Sequence, residues 1–116
     1  MDYEQILPLL LSVLDDGKAV DVVVIDVRGR TSITDYMIVA SGTSDRHVSA
    51  LAGHLVEKAK HSGLQPLGVE GLTTGEWVLV DFGDAIVHLM KPQVREFYQL
   101  EKFWQGDYAP PQAANA

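Results

Sequence analysis

Four aspartates, Asp26, Asp35, Asp81 and Asp84, fall at the ends of apolar runs or in turns. Loop carboxylates in such places can gather Mg²⁺ for phosphoryl or nucleotidyl transfer. Between them lies Ser41-Gly42-Thr43-Ser44, small and polar, just ahead of a helical repeat. A loop of that kind can offer backbone N–H groups to a phosphate. The details count against that chemistry. The loop has no lysine and no GxxxxGK[ST] or GxGxxG pattern. A nucleotidyltransferase carries Gly-Ser on a helix and a D-x-D or D-x-E pair on the next strand. Here the order is Ser41-Gly42, and no carboxylates are spaced by two nearby. Asp81-Phe82-Gly83 matches a kinase triplet in letters alone, because the chain has no Gly-rich loop and no His-Arg-Asp. The loop therefore reads as a strand-to-helix turn with a hydroxyl cap, and Asp84 as a turn residue.

His47, His54 and His61 recur every seven residues. On a helix that spacing separates neighbours by ~10.5 Å along the axis. One ion needs its donor atoms within about 2.1 Å. His88, on a strand, could join only one of them, so the repeat reads as a polar stripe. No cofactor or metal site is expected, and the chain is not expected to be an enzyme. The aromatics carry more. Trp77, Tyr98 and Trp104 are costly to expose and are the residue types that anchor interfaces. By the two-residue period of a strand, Trp77, Leu79 and Asp81 share one face, while Val78, Val80 and Phe82 turn to the core. A face of Trp, Leu and Asp has the composition of a protein-binding patch. The expected partner-binding residues are therefore Trp77, Leu79 and Asp81, with His88 as a neighbour on the paired strand.

These residues need a scaffold. Val48, Leu51, Ala52, Leu55, Val56 and Ala59 recur at the spacing of one helix face. They predict a helix from Asp45 to about Ser62, capped by Ser44 or Asp45 and followed by Gly63. The apolar run 36–40 ahead of it reads as a strand. Ile6, Leu7, Leu10, Leu11, Val13 and Leu14 predict a helix over 4–16, with Asp2 as cap, Pro8 in its first turns and Gly17 as a left-handed stop. Val22 to Val27 is almost continuously β-branched, which reads as a strand buried on both faces. It pairs with the 36–40 strand as a hairpin. Residues 65–69, with Pro66, read as an edge strand. Runs 76–82 and 85–90 flank Gly83-Asp84, a hairpin signal. Pro92 opens a last helix carrying Val94, Phe97, Tyr98, Leu100, Glu101 and Trp104. The order α, β, β, α, β, β, β, α predicts an α/β domain with a mixed sheet and flanking helices. It occupies residues 1–104, and 105–116 read as a disordered tail.

At 116 residues the chain is one domain, long enough for its own core. It has no cysteine, which excludes disulfides and thiolate metal sites. No apolar run reaches the length of a membrane span, and the N-terminus lacks the basic region of a targeting peptide. A cytoplasmic location without membrane contact is expected. Net charge is −7 and pI about 4.8, with Lys and Arg scattered. That argues against a general nucleic-acid binder and suits a basic protein partner.

Three stretches resemble one known family. They are Thr34-Asp35-Tyr36-Met37-Ile38-Val39-Ala40-Ser41-Gly42-Thr43-Ser44-Asp45-Arg46-His47, then Gly68-Val69-Glu70-Gly71 with Glu76 to His88, then Arg95 to Trp104. In that order they are similar to the ribosomal silencing factors of the Iojap-related family, over about residues 4 to 104. The resemblance implies a mixed five-stranded, nucleotidyltransferase-like sheet without the catalytic carboxylate pair. It implies binding to the large ribosomal subunit through the basic ribosomal protein L-fourteen. It implies that joining of the small subunit is blocked and translation repressed in stationary phase or when nutrients are scarce. Organellar relatives act in ribosome biogenesis, as large-subunit assembly factors, and relatives suggest a homodimer. The alternatives kept open are large-subunit assembly and a nucleotidyltransferase-like enzyme or nucleotide sensor using Ser41 to Ser44 with Asp35 and Asp81.

Overall fold

The computed structural model describes residues 3–99. Three helices and five strands follow in the expected order: α1 (Tyr3–Asp16), β1 (Val20–Asp26), β2 (Tyr36–Ser41), α2 (Asp45–His61), β3 (Gly68–Glu70), β4 (Trp77–Asp81), β5 (Ala85–Met90) and α3 (Pro92–Tyr98). The strands form one mixed sheet in the order β1-β2-β5-β4-β3. β1 pairs antiparallel with β2, β2 runs parallel to β5, and β4 pairs antiparallel with both β5 and β3. The single parallel pair follows from the chain passing through α2 between β2 and the later strands, a crossover that antiparallel neighbours do not need.

The two faces of the sheet are covered differently. On one, α1 contributes Ile6, Leu10, Val13 and Leu14, and α2 contributes Val48, Leu51, Ala52, Leu55 and Ala59. They pack on Tyr36, Ile38, Ala40, Val78, Val80, Phe82, Ala85, Val87 and Leu89, the alternate residues of the three central strands. On the opposite face, Ile25, Val27, Met37, Val39 and Met90 form a smaller cluster with Val23, Trp77 and Val94 of α3 packed against it. The seven-residue α3 is thus the helix that meets this second face.

Three expectations change. β1 is not buried on both faces: it is the sheet edge, and Val20, Val22 and Val24 are each more than a third exposed. A β-branched run reports that a strand forms, and not whether that strand lies at the edge or in the centre of the sheet. The left-handed residue after α1 is Lys18, at φ 62°, and not Gly17. Gly17 is small for another reason, since a Cβ there would lie 2.6 Å from Leu51 Cδ2. Finally, α3 ends at Tyr98, where Gln99 turns left-handed at φ 48°. The expected Asp2 cap, Leu100, Glu101, Trp104 and the 105–116 tail lie outside the described residues. The edge position of β3, the β1–β2 hairpin and the β4–β5 turn at Gly83 agree with the sequence reading.

Candidate functional site

Two regions compete for a functional role, the β2–α2 loop and the face of β4. At the loop, β2 delivers Ser41 into the interior, and Ser44 closes the N-terminus of α2 by accepting from the His47 amide at 3.1 Å. The Gly42 amide donates to the Met90 carbonyl, the Thr43 amide to His47 Nδ1 at 2.9 Å, and the Val48 amide to the Ser44 carbonyl. These N–H groups, which would face a phosphate in a nucleotide-binding loop, are already paired within the protein. Gly42 has no room for a side chain, because a Cβ would lie 2.8 Å from Val48 Cγ2 and 2.9 Å from its amide. The close approach locks the loop onto the helix and does not open a cradle.

His47 has a defined structural task. Because Nδ1 accepts from Thr43, the ring hydrogen sits on Nε2, which donates to the Gly17 carbonyl at 2.8 Å. The imidazole therefore ties the end of α1 to the start of α2. His54 and His61 lie further along α2 and line a groove of about 420 Å³ with Leu9, Val13, Asp16 and Lys58. Among the described residues no three His, Asp or Glu side chains converge on a point where an ion could sit.

The carboxylates scatter likewise. Asp26 faces solvent and pairs with Arg28, whose Nη2 lies 2.7 Å away. The Arg28 side chain and amide hold that carboxyl below the usual range. Arg28 also lies over the Tyr36 ring, 5.1 Å from its centroid. Asp81, and not Asp84, uses its side chain at the hairpin turn: Oδ1 accepts from the Gly83 amide at 2.8 Å. Asp84 contributes its backbone carbonyl, which accepts from the Asp35 and Tyr36 amides.

The β4 face is built from strand alternation. Trp77, Leu79 and Asp81 are half-buried, and Val78 and Val80 are fully buried behind them. His88 stands opposite Leu79 on β5, on the same face. It is only 5% exposed and lies against the Trp77 ring, so it does not stand at the surface beside Trp77 as the sequence suggested. Trp77 Nε1–H donates to His88 Nδ1 at 3.1 Å. The imidazole hydrogen must then sit on Nε2, which is buried without a hydrogen-bond partner among the described residues. Burial pushes the His88 imidazole down to about 4, so the ring is neutral at neutral pH.

α3 completes the face. Val94 and Trp77 both pack against the smaller apolar cluster. Tyr98 lies 5.0 Å from Trp77, centroid to centroid, and Phe97 lies 5.0 Å from Tyr98, edge-on. Arg95, buried in the same helix, donates to Ser41 Oγ at 3.0 Å and to the Val20 carbonyl, pinning α3 to the ends of β1 and β2. Lys91, just ahead of α3, bridges to Asp45 at 2.9 Å. Sequence reasoning picked out Trp77 and Tyr98 but not Phe97 or Arg95. Residue spacing offers no sign that Arg95 meets a serine 54 positions earlier.

The family described as "Ribosomal silencing factor during starvation" matches residues 1–115. The chain is 50% identical over 95 residues to "Ribosomal silencing factor RsfS" of Haemophilus influenzae, covering 82% of this chain and 93% of that one. It is 40% identical over 99 residues to "Mitochondrial assembly of ribosomal large subunit protein 1" of Mus musculus, covering 83% of this chain and 43% of that one. Its fold superposes on the crystal structure of a Chromobacterium violaceum protein with a TM-score of 0.88, at 43% identity and over 95% of this chain and 91% of the other.

Proposed function

The chain belongs to the family of ribosomal silencing factors, and from that premise we propose that it docks on the large ribosomal subunit and keeps the small subunit from joining. The docking partner is the basic ribosomal protein L-fourteen, and the consequence is lower translation when nutrients are scarce. The action is steric and needs no reaction, because a domain seated on the surface between the subunits occupies the space the small subunit requires. What carries the reading is the family match over nearly the whole chain. The site supports it in chemistry. Trp77 and Leu79 form an apolar centre, Asp81 adds charge, and the net charge of −7 favours encounter with a basic protein. His88 acts here as a positioning residue that fixes the indole from beneath.

Direct titration of purified L-fourteen with the chain tests this docking face. Leu79→Ala is expected to weaken binding by about thirtyfold, the loss of an anchor worth roughly 2 kcal/mol. Asp81→Lys sets like charges against each other and should weaken it further. Unchanged affinity in both variants, with both folded, would place the docking surface elsewhere.

A second reading is large-subunit assembly, and the name of the mouse relative favours it. It needs the same docking face and differs in timing. Depleting the chain in growing cells separates the two. Assembly intermediates of the large subunit accumulate under the second reading, whereas under the first mature subunits persist and join more freely.

A further inference from the structure

Beside the β4 face, an open groove of about 340 Å³ runs between β4 and α3, lined by Glu76, Trp77, Gln93, Val94, Phe97 and Tyr98. Among the described residues that line it, three of six are aromatic, and the one ionisable side chain apart from the Tyr98 phenol is a carboxylate. Phe97 is 63% exposed and Tyr98 40%. The rings stand at angles to one another, 50° between Trp77 and Tyr98 and 82° between Phe97 and Tyr98, so Tyr98 is flanked by both neighbours without being stacked flat against either. Exposed aromatic faces are electron-rich and attract a cation held over them, and a nearby carboxylate strengthens the attraction.

We infer that this groove receives one cationic side chain, an arginine or lysine, from the basic protein on which the chain docks. The inference rests on the docking reading and deepens it by naming what the partner must present next to Trp77. The guanidinium or ammonium group lies against the rings of Trp77, Phe97 and Tyr98, and Glu76 is its counter-charge. Three observations point to a cation over an apolar side chain. Glu76 is exposed at the rim, where its carboxylate attracts a cation and repels an anion. The chain as a whole carries −7. And Trp77 donates its own N–H inward to His88, so its polar edge is already satisfied and its ring serves as a packing surface. A nucleic-acid base could also stack on such rings, but a phosphate chain would have to approach Glu76 and a strongly acidic domain.

The test is a titration of the full chain, followed by nuclear magnetic resonance, with two short Gly-flanked peptides that differ only in carrying arginine or its neutral isostere citrulline. An oligouridylate is the third probe. The arginine peptide is expected to shift the Trp77 indole and the Phe97 and Tyr98 ring signals, and to bind about tenfold more tightly than the citrulline peptide. Glu76→Gln and Phe97→Ala, both changes at exposed side chains, should each remove most of that difference. Equal binding of the two peptides, shifts confined to other residues, or stronger binding of the oligouridylate would overturn the proposal. Large-subunit binding by the same variants separates this inference from the reading beneath it. If the chain still binds the large subunit while the peptides are not distinguished, the groove proposal fails and docking stands. If the peptides are distinguished but the large subunit is not bound, docking fails and the cation slot stands.

Discussion

Trp77 illustrates why an aromatic residue on a half-buried strand need not be either core or interface. It packs against the smaller apolar cluster with its ring beside Tyr98, its N–H is spent on His88, and the rest of it reaches the surface. Trp77→Ala therefore mixes two effects. It should lower stability by about 2 kcal/mol, less than the loss of a fully buried tryptophan, and part of that is the stranded His88 acceptor. Trp77→Phe keeps an aromatic ring but loses the N–H and part of the indole's packing, and should cost about 1 kcal/mol by chemical denaturation. His88 carries a pH signature of its own. Its folded value lies near 4, below the ordinary 6.5, so between those limits the unfolded chain binds the extra proton and the folded chain does not. Stability is then present above about pH 6.5 and falls as the pH drops toward 4, by up to about 3 kcal/mol in total. His88→Asn offers an acceptor without a titrating ring, and its unfolding free energy should lose that part of the pH dependence. Parallel pH profiles for wild type and His88→Asn would show that the buried imidazole is not the group responsible.

At the scale of elements, the β2–α2 loop is a cap. Its Gly42, Thr43, His47 and Val48 amides are all spent inside the protein. Calorimetry with ATP or GTP and Mg²⁺ should show no saturable binding; micromolar binding lost in Ser41→Ala would revive the nucleotide alternative. Gly42→Ala should lower stability by about 2 kcal/mol, because the new methyl meets Val48 backbone as well as side chain. Which elements could be read in advance follows from what each depends on. α2 was legible because one local repeat, Val48 to Ala59, specifies both the helix and its buried face. The alternation of β4 was legible for the same reason, with the core residues Val78 and Val80 falling where the period of two puts them. β1 was misread because edge or centre is decided by which strands come later and by how far the helices reach, and no local pattern reports either. The Arg95–Ser41 bond was invisible for a related reason. It joins residues that only the completed sheet brings together.

Among the described residues, the two faces of the sheet are covered unequally. α1 and α2 bury one side of the sheet, while the short α3 covers only part of the other and leaves Trp77, Leu79, Asp81, Phe97 and Tyr98 within reach of a partner. A charge of −7 on so small a domain makes its encounter with a basic surface sensitive to salt. The proposed action on ribosomal subunits, through the partly covered face, is open to direct test. Sucrose-gradient sedimentation of purified large and small subunits, with wild type or Leu79→Ala added, measures it directly. The wild-type chain is expected to travel with the large subunit alone and to lower the peak of joined ribosomes, and Leu79→Ala, folded but weakly bound, is expected to restore that peak. An undiminished peak of joined ribosomes with the wild-type chain bound to the large subunit would contradict the proposed action.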